Sequence, residues 1–137
     1  MRVHEIVPKE RWSKRYDQLN DFEATLAAEG TTILKFFLHI SPEEQLARFK
    51  ERYEDPTKRW KFKVGDLEER KLWADYMQAY EEVLARCSTE VAPWFVVPSD
   101  RKWFRNLAIA DIVADTLEDL DPQYPAREDL PKDLVIS

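Results

Sequence analysis

The sequence predicts a helix-rich α/β domain in which parallel strands alternate with helices. Two apolar runs have the composition of buried strands, residues 31–40 (TTILKFFLHI) and residues 93–98 (PWFVVP). A long stretch of helical periodicity separates the two runs, and a further helical pattern follows the second one. This order is typical of a parallel sheet with helical crossovers. Only two of the 137 residues are glycine, which disfavours an all-β fold because such folds need glycine in many turns.

Composition limits the class of protein. At 137 residues the chain forms one domain or part of a larger one. Its 44% hydrophobic and 12% aromatic content is enough for a core and argues against disorder. The single cysteine, Cys87, allows no internal disulfide, so we expect a cytoplasmic protein. No segment is apolar for long enough to span a membrane, and the amino-terminal residues MRVHEIVPKERW lack a signal-peptide core, so we expect neither membrane insertion nor secretion.

The first helical pattern runs from Pro8 to Gly30. Proline suits the first turn of a helix, where its missing N–H costs nothing, and glycine suits the residue that ends one. The apolar residues between them recur at intervals of three and four, which predicts one helix that packs a face on the core: Trp12, Tyr16, Leu19, Phe22 and Leu26.

The run 31–40 predicts a strand that is buried on both faces, as in a parallel sheet. Two polar residues, Lys35 and His39, interrupt it. His39 falls near the carboxyl end of the strand, where open α/β sheets bind ligands. Its side chain either faces such a ligand crevice or is held in place by structural hydrogen bonds, and the sequence leaves both open.

Two helices joined by a basic loop are predicted next. Ser41-Pro42-Glu43-Glu44 is a capping box with proline at the first helical position, so a helix begins here and ends before Pro56. Asp66 starts a second capping box, and the helix behind it reaches about Cys87. Residues 42–87 therefore form a helical hairpin between the two strands.

Basic residues are concentrated in this hairpin. Between positions 48 and 63, seven bases oppose three acids, a local charge of +4 in a chain of net charge −6. Such a concentration repels itself unless it is solvated or meets an anion. Spacing alone leaves two interpretations open: a surface that closes over phosphates, or a solvated hairpin whose charges bind nothing specific. The bases are Arg48, Lys50, Arg52, Lys58, Arg59, Lys61 and Lys63.

The second predicted strand, residues 93–98, leads into the last helix. Ser99 or Asp100 is expected to cap this helix. Residues 121–137 hold three prolines, no periodicity and an excess of acids, which predicts a tail. The inward positions of the helix recur at helical spacing: Phe104, Ala108, Ile112, Val113, Leu117 and Leu120.

Several catalytic motifs are absent from these 137 residues. Because glycine occurs only at positions 30 and 65, neither a G-x-x-x-x-G-K-[ST] phosphate loop nor a G-x-S-x-G nucleophile motif can be present. There is no H-E-x-x-H motif and no Cys/His set with metal-ligand spacing. With only His4 and His39, we expect neither a zinc site nor a histidine-centred triad.

Four segments stand in an order that one family shares: KFFLHISPEEQ, RFKERYEDPTKRWKF, the APW before the second strand and DRKWFRNLA after it. They make the chain, from about Arg2 to Glu118, resemble the C-terminal half of the polyphosphate kinase 2 family. The resemblance implies a partial P-loop-kinase-like, three-layer α/β/α fold with parallel strands and a helical lid. Residues 1–120 would then be the C-terminal part of such a domain, and residues 42–87 would be its lid.

The resemblance also implies a function. Family members transfer a phosphoryl group between inorganic polyphosphate and a nucleoside mono- or diphosphate, with Mg²⁺. Arg52 matches a lid arginine that contacts phosphates and would be catalytic. The residues that match other basic lid positions, and would bind the substrate, are Arg48, Lys58 and Lys61. Such cations suit phosphoryl transfer, which depends on positioning and on neutralising phosphate oxygens. We therefore expect inorganic polyphosphate and an adenine nucleotide, ADP or AMP, as partners.

One part of the family pattern has no counterpart in this sequence. The N-terminal half of the family carries the Walker A loop and a later Asp-Arg segment that serve Mg²⁺ and phosphate, so we do not expect Mg²⁺ ligands in this chain. We expect the chain to be inactive alone, as a truncated product, a fragment or one half of a split enzyme. A two-strand remnant would expose a strand edge and apolar faces, which predicts marginal stability and either self-association or an N-terminal half as partner.

A second class of function stays open. The basic hairpin and Trp60 would also suit a non-catalytic module that binds polyanions, RNA among them, by charge and stacking. We favour the kinase interpretation, in which nucleic acid is not a partner. The two functions differ in their dependence on nucleotide: the kinase needs ADP or AMP, whereas the module binds a polyanion irrespective of nucleotide. The choice between AMP and ADP, the base specificity and the direction of transfer do not follow from these residues.

Overall fold

The computed structural model describes residues 2–125. Residues 126–137, which make up most of the predicted tail, lie outside the described residues, and residues 121–125 form neither helix nor strand. In chain order the elements are α1 (Lys9–Trp12), α2 (Arg15–Ala28), β1 (Lys35–His39), α3 (Pro42–Glu54), a 3-10 helix (Arg59–Lys61), α4 (Gly65–Lys71), α5 (Trp73–Cys87), β2 (Trp94–Pro98) and α6 (Lys102–Leu120).

The two strands pair in parallel, as predicted. Lys35 lies opposite Trp94 at one end of the pairing, and His39 lies opposite Pro98 at the other. One further hydrogen bond, from Ser99 N to His39 O at 2.7 Å, follows the last pair. Because the strands are parallel, their carboxyl ends meet at one edge. Residues 42–87, the hairpin predicted to be a lid and called the lid below, belong to the crossover between the strands.

The first strand is shorter and less buried than predicted. Residues before Lys35 have no partner on β2, because Pro93, which precedes that strand, has no N–H to donate. The prediction of burial on both faces is wrong, since Leu38 is 45% exposed and Val96 is 54% exposed. Within residues 2–125 the sheet has two strands, and these two side chains of it stay open to solvent.

Two predicted helices are each split in two. The first turns at Ser13 and Lys14, whose φ/ψ angles of −63°/−28° and −72°/−16° stay helical. The apolar spacing therefore continues across the turn, and the sequence pattern does not reveal it. The second is interrupted at Leu72, which separates α4 from α5. Gly30 follows α2 as predicted, with a φ of 86° in the left-handed region that favours glycine.

One of the three predicted N-terminal helix caps is confirmed. Ser41 caps α3, and its Oγ accepts a hydrogen bond from Glu44 N at 3.1 Å. The cap predicted at Asp66 is wrong, because α4 already begins at Gly65 and has no side-chain cap. Asp66 instead accepts a long hydrogen bond, 3.4 Å, from Lys63 N.

The cap predicted for the last helix is also wrong. Neither Ser99 nor Asp100 caps α6, because both side chains have other partners. Ser99 Oγ donates to Val97 O at 2.8 Å, and Asp100 Oδ1 accepts from Ser41 N at 2.7 Å. Both residues thus order the edge where the strands end.

Few side chains are deeply buried. Several positions predicted to point inward on α2 and α6 are at least half exposed, among them Leu19, Phe22 and Leu117. No helix among residues 2–125 has the length and apolar character needed to cross a membrane. The apolar side chains that are almost fully buried in this part of the chain are Tyr16, Cys87, Ala92 and Val97.

Candidate functional site

The candidate site lies where the two parallel strands end. The hydrogen bond from Ser41 N to Asp100 Oδ1 joins the loop after β1 to the loop after β2. This bond is the main reason why the pKa of the Asp100 carboxyl is lowered, with a smaller contribution from the positive charge of Arg48. The carboxylate fixes the start of α3, and with it the base of the lid, beside the end of β2.

Arg48, a predicted substrate-binding residue, is held by two internal partners. Its Nε donates to Glu44 Oε1 at 2.8 Å, and its Nη2 donates to Ser99 O at 2.6 Å. The side chain is only 19% exposed. Arg48 therefore ties the first lid helix to the end of the second strand.

Arg52, the predicted catalytic residue, lies one turn further along the same face of α3. Its side chain is half-buried. In contrast to Arg48, its guanidinium has no hydrogen bond or ion pair to any residue of the described chain. It lines a cavity between the strand ends and the lid. A partly buried guanidinium without a protein partner is suited to bind an anion in that cavity.

Lys58 pairs with two carboxylates that precede it. Its Nζ lies 2.7 Å from Glu51 Oε1 and 3.1 Å from Asp55 Oδ2, and these contacts raise the Lys58 pKa. The pKa of Asp55 is lowered to about 2, chiefly by the hydroxyl of Thr57 and then by Lys58. The pairs are exposed, so Lys58 can exchange these partners for a phosphate at little cost.

Lys61 is exposed at the tip of the lid. Its Nζ lies 5.1 Å from the ring centroid of Trp60, itself 77% exposed, and no carboxylate of the described chain pairs with Lys61. The loop folds back on α3 through Phe62, whose ring meets Phe49 and Tyr53 edge-on. This anchor was not predicted, although the alternation of aromatic and basic residues in WKFK was a signal for it.

The cavity beside Arg52 has a volume of about 490 Å³. It lies between the second half of β1, the inner face of α3, and helices α4 and α5, and His39 lies on its strand side. The lining is largely aromatic and apolar, with a few charged groups: Phe37, Leu38, His39, Ile40, Gln45, Phe49, Arg52, Asp66, Glu69, Arg70, Trp73, Tyr76, Met77 and Tyr80.

Two of the charged groups in the cavity are held by neighbours. Arg70 Nη1 donates to Pro42 O and to Gln45 Oε1, both at 2.8 Å, which ties α4 to the start of α3. Sequence reasoning did not single out Arg70, because its acceptors lie 28 and 25 residues away.

Glu69 is the second group. Its Oε2 accepts from Tyr76 Oη at 2.8 Å and lies 3.0 Å from His4 Nε2. The hydrogen bond from Tyr76 is the main reason why the pKa of Glu69 is lowered, and the hydrogen bond from His4 adds to it. The contact with Glu69 in turn raises the pKa of Tyr76. Glu69 was not predicted as a site residue either, because His4 lies 65 residues away from it in the sequence.

The resemblance implies that the family reaction uses Mg²⁺. No group of three or more His, Cys, Asp or Glu side chains in that range could hold a metal ion. Magnesium is usually bound through one or two carboxylates together with substrate phosphates. Of the carboxylates placed here, Asp100 and Glu69 are already held by hydrogen bonds.

Comparison with known proteins places this geometry in a family. The chain matches the family model for Polyphosphate kinase 2 (PPK2) over residues 1–125. An AMP/ADP-polyphosphate phosphotransferase of Meiothermus ruber is 51% identical over 136 residues, which cover 99% of this chain and 51% of that protein. An uncharacterized protein of Leptolyngbya boryana is 47% identical over 83% of this chain and 84% of its own length.

A solved structure of the same family is also similar to this chain. The crystal structure of polyphosphate kinase 2 from Arthrobacter aurescens TC1 matches with a TM-score of 0.88 at 42% identity, over 93% of this chain and 45% of that one. This likeness confirms the predicted α/β fold class with parallel strands. The chain spans about half the length of the M. ruber relative and somewhat less than half of the crystallised protein. The chain belongs to the polyphosphate kinase 2 family.

Proposed function

We propose that this chain supplies the lid-bearing part of a polyphosphate:nucleotide phosphotransferase that acts between polyphosphate and ADP or AMP. The observation that carries the proposal is the half-buried Arg52 guanidinium, which lines the cavity at the strand ends without a protein partner. The names of the relatives from Meiothermus ruber, an AMP/ADP-polyphosphate phosphotransferase, and Rhodopseudomonas palustris, an ADP-polyphosphate phosphotransferase, support the substrate class.

Each basic residue then has a distinct role. Arg52 contacts the transferring phosphates, where a planar guanidinium can bind two oxygens at once. Lys58 and Lys61 bind polyphosphate further along the chain as mobile point charges. Arg48, two of whose five N–H groups donate to Glu44 and Ser99, positions the lid helix and acts on substrate through that helix.

The proposed reaction needs a glycine-rich phosphate loop that these 137 residues do not contain. In P-loop enzymes the backbone N–H groups of that loop cradle the phosphates. We therefore propose that a Walker A-bearing half, in the same protein or in a separate chain, completes the site, brings the Mg²⁺ ligands and covers the exposed apolar surface at Leu38 and Val96. A cytoplasmic location, which suits a chain whose one cysteine is free, is part of the same proposal.

A second candidate function is a non-catalytic module that binds polyanions. The observation that favours it is the exposed pair Trp60 and Lys61, which suits stacking and charge contacts without any nucleotide. Salt-sensitive binding alone would fit both functions.

Complementation tests the proposal. Phosphoryl transfer from polyphosphate to ADP and to AMP is measured with the chain alone, with a Walker A-bearing half of a family member alone, and with the two mixed. The proposal predicts transfer only in the mixture. If the two halves bind each other yet the mixture transfers nothing, while the chain binds polyphosphate equally with and without nucleotide, the proposal is wrong and the polyanion-binding function is favoured.

A further inference from the structure

We propose that His4 is a positioning residue for the lid: it holds the joint at Leu72, where α4 meets α5, in its bent form, and it acts on substrate only through that joint. This inference rests on the proposed function, in which the lid carries phosphate-binding cations, and adds to it a residue that sets the orientation of the lid. His4 belongs to a turn of residues 2–5, called the strap below, in which Glu5 N donates to Arg2 O at 3.0 Å.

The sequence across the joint contains no residue that breaks a helix. Residues 66–76, DLEERKLWADY, include neither glycine nor proline, and most of them are good helix formers. Leu72 nevertheless has φ/ψ angles of −90°/16°, and its N–H donates to Glu69 O at 3.0 Å, which closes a tight turn. Because sharp helix breaks without proline or glycine need another cause, we look for it in contacts with the rest of the chain.

Three side chains meet across the joint. Glu69 belongs to α4, Tyr76 to α5 and His4 to the strap. Glu69 Oε2 accepts from Tyr76 Oη at 2.8 Å, and His4 Nε2 lies 3.0 Å from the same carboxylate oxygen and 3.2 Å from Tyr76 Oη. Because a carboxylate only accepts hydrogen bonds, both neighbours donate to it, which places a proton on His4 Nε2. His4 thus contacts the last turn of α4 and the first turn of α5 at once.

The strap is itself fixed to two long helices. Arg2 Nη1 donates at 3.0 Å to the hydroxyl of Tyr16, an almost fully buried residue of α2, and the guanidinium also pairs with Glu82 of α5. The same guanidinium lies 4.7 Å from the ring centroid of Trp12. Since Arg2 fixes the strap to α2 and α5, the place of His4 at the joint is fixed as well.

The angle at the joint affects the basic loop of the lid. The loop that carries Lys58 and Lys61 leads directly into α4, and Arg70 ties α4 to the start of α3. A change in the angle between α4 and α5 therefore shifts this loop relative to the strand ends. The side chains of His4 and Glu69 are 40% and 49% exposed, so their contact holds the joint weakly and lets it open. A weak hold suits a lid that admits and releases a polyanion.

Hydrogen exchange on the full chain tests this contact without any substrate. In His4→Phe, which keeps a ring and loses the Nε2 donor, we expect the backbone amides of residues 72–76 to exchange about three- to tenfold faster, because the joint opens more often. His4→Gln, whose amide N–H can donate to Glu69, should restore exchange to within about twofold of the unmodified chain. Lys71→Met, at an exposed position of the same joint, is the matched control and should leave exchange unchanged.

The complemented phosphoryl-transfer reaction tests the effect of the joint on substrate. His4→Phe should raise KM for polyphosphate about three- to tenfold and leave kcat within about twofold of the unmodified chain. The reason is that the variant displaces the cations of the loop, whereas the groups at the transferring phosphates stay in place. A residue that served stability alone would not change KM and kcat in this selective way once the variant is folded.

Each outcome has a separate meaning. If residues 72–76 exchange equally in His4→Phe and in the unmodified chain, or if His4→Gln exchanges as fast as His4→Phe, the role of His4 is overturned. If exchange rises but KM does not, the joint does not position substrate and the inference fails. If the unmodified chain transfers nothing in the mixture, the proposed function fails, and exchange alone decides whether His4 holds the joint. Should circular dichroism show that His4→Phe does not fold, Tyr76→Phe, which removes only a hydroxyl of the cluster, carries the same expectations.

Discussion

The cations at the two ends of the small sheet differ in their partners. At the amino end, Lys35 is 10% exposed, and its Nζ lies 2.6 Å from both Glu23 Oε2 and Cys87 O. At the carboxyl end, Arg52 lines an open cavity and has no partner in residues 2–125. The first cation stabilises the fold, and the second is left available for a ligand.

The amino end of the strand pair therefore contributes to stability, and the carboxyl end contributes to binding. Around Lys35, helices α2 and α5 close the amino end, and Trp94 lies beneath the ammonium group with its ring centroid 5.3 Å away. At the carboxyl end, the hydrogen bonds of Arg48 with Ser99 O and of Asp100 with Ser41 N hold the base of the lid. Variants at the amino end should therefore act on folding, and variants at Arg52 should act on substrate.

The largest effect on stability is expected from Lys35→Met. It leaves Glu23 without its partner in a pair whose members are 10% and 17% exposed, so the free energy of unfolding should fall by about 3 kcal/mol in urea denaturation. The double variant Lys35→Met/Glu23→Leu should recover most of that loss, because it removes both charges together.

The chain offers a matched control for this pair. Lys71 and Glu68 are also 2.6 Å apart, but their side chains are 69% and 68% exposed. Lys71→Met should change the free energy of unfolding by less than about 1 kcal/mol. Equal effects of the two Lys→Met substitutions would contradict the assignment of a stabilising role to the amino end.

A smaller loss is expected from Arg48→Ala at the base of the lid. It removes two charge-assisted hydrogen bonds, to Glu44 and to Ser99 O, and should lower the free energy of unfolding by about 1.5–3 kcal/mol. Lys50→Ala, an exposed cation on the same helix, should change it by no more than about 0.5 kcal/mol. If Arg48→Ala were as stable as Lys50→Ala, Arg48 would not brace the lid.

The smallest effect is expected in the pH dependence of stability, through Asp55 in the exposed loop of the lid. The pKa of Asp55 falls from its ordinary 3.8 to about 2 in the folded chain, so its contribution to stability is present above pH about 4 and is lost as pH falls towards 2. Asp55→Asn should remove this part of the acid sensitivity. Titration of the Asp55 carboxyl carbon by NMR checks the value, and a midpoint near 4 would show that the Thr57 and Lys58 contacts do not persist in solution.

Local signals predicted much of the fold. The strand composition of 31–40 and 93–98 gave the parallel pair, and Ser41 and Gly30 were found because caps and helix ends depend on neighbouring residues. The break at Ser13 was missed because the backbone there stays helical and the apolar period continues across it.

The site was predicted less completely, because its contacts are long-range. Arg48 and Arg52 are equivalent in the sequence, being basic residues on one helical face. What distinguishes them is the carbonyl oxygen of Ser99, which lies 51 residues from Arg48 in sequence and accepts its hydrogen bond. The groups of the cavity that were missed, Arg70 and Glu69, likewise depend on partners brought close only by folding.

We propose that Arg52, the available cation at the carboxyl end, contacts the transferring phosphates. The most direct test compares Arg52→Ala with Lys50→Ala in the complemented phosphoryl-transfer reaction, under conditions where both variants are folded. We expect Arg52→Ala to lower kcat at least about a hundredfold through loss of charge stabilisation, while Lys50→Ala stays within about twofold of the unmodified chain. Equal rates for the two variants would show that Arg52 does not contact the transferring phosphates.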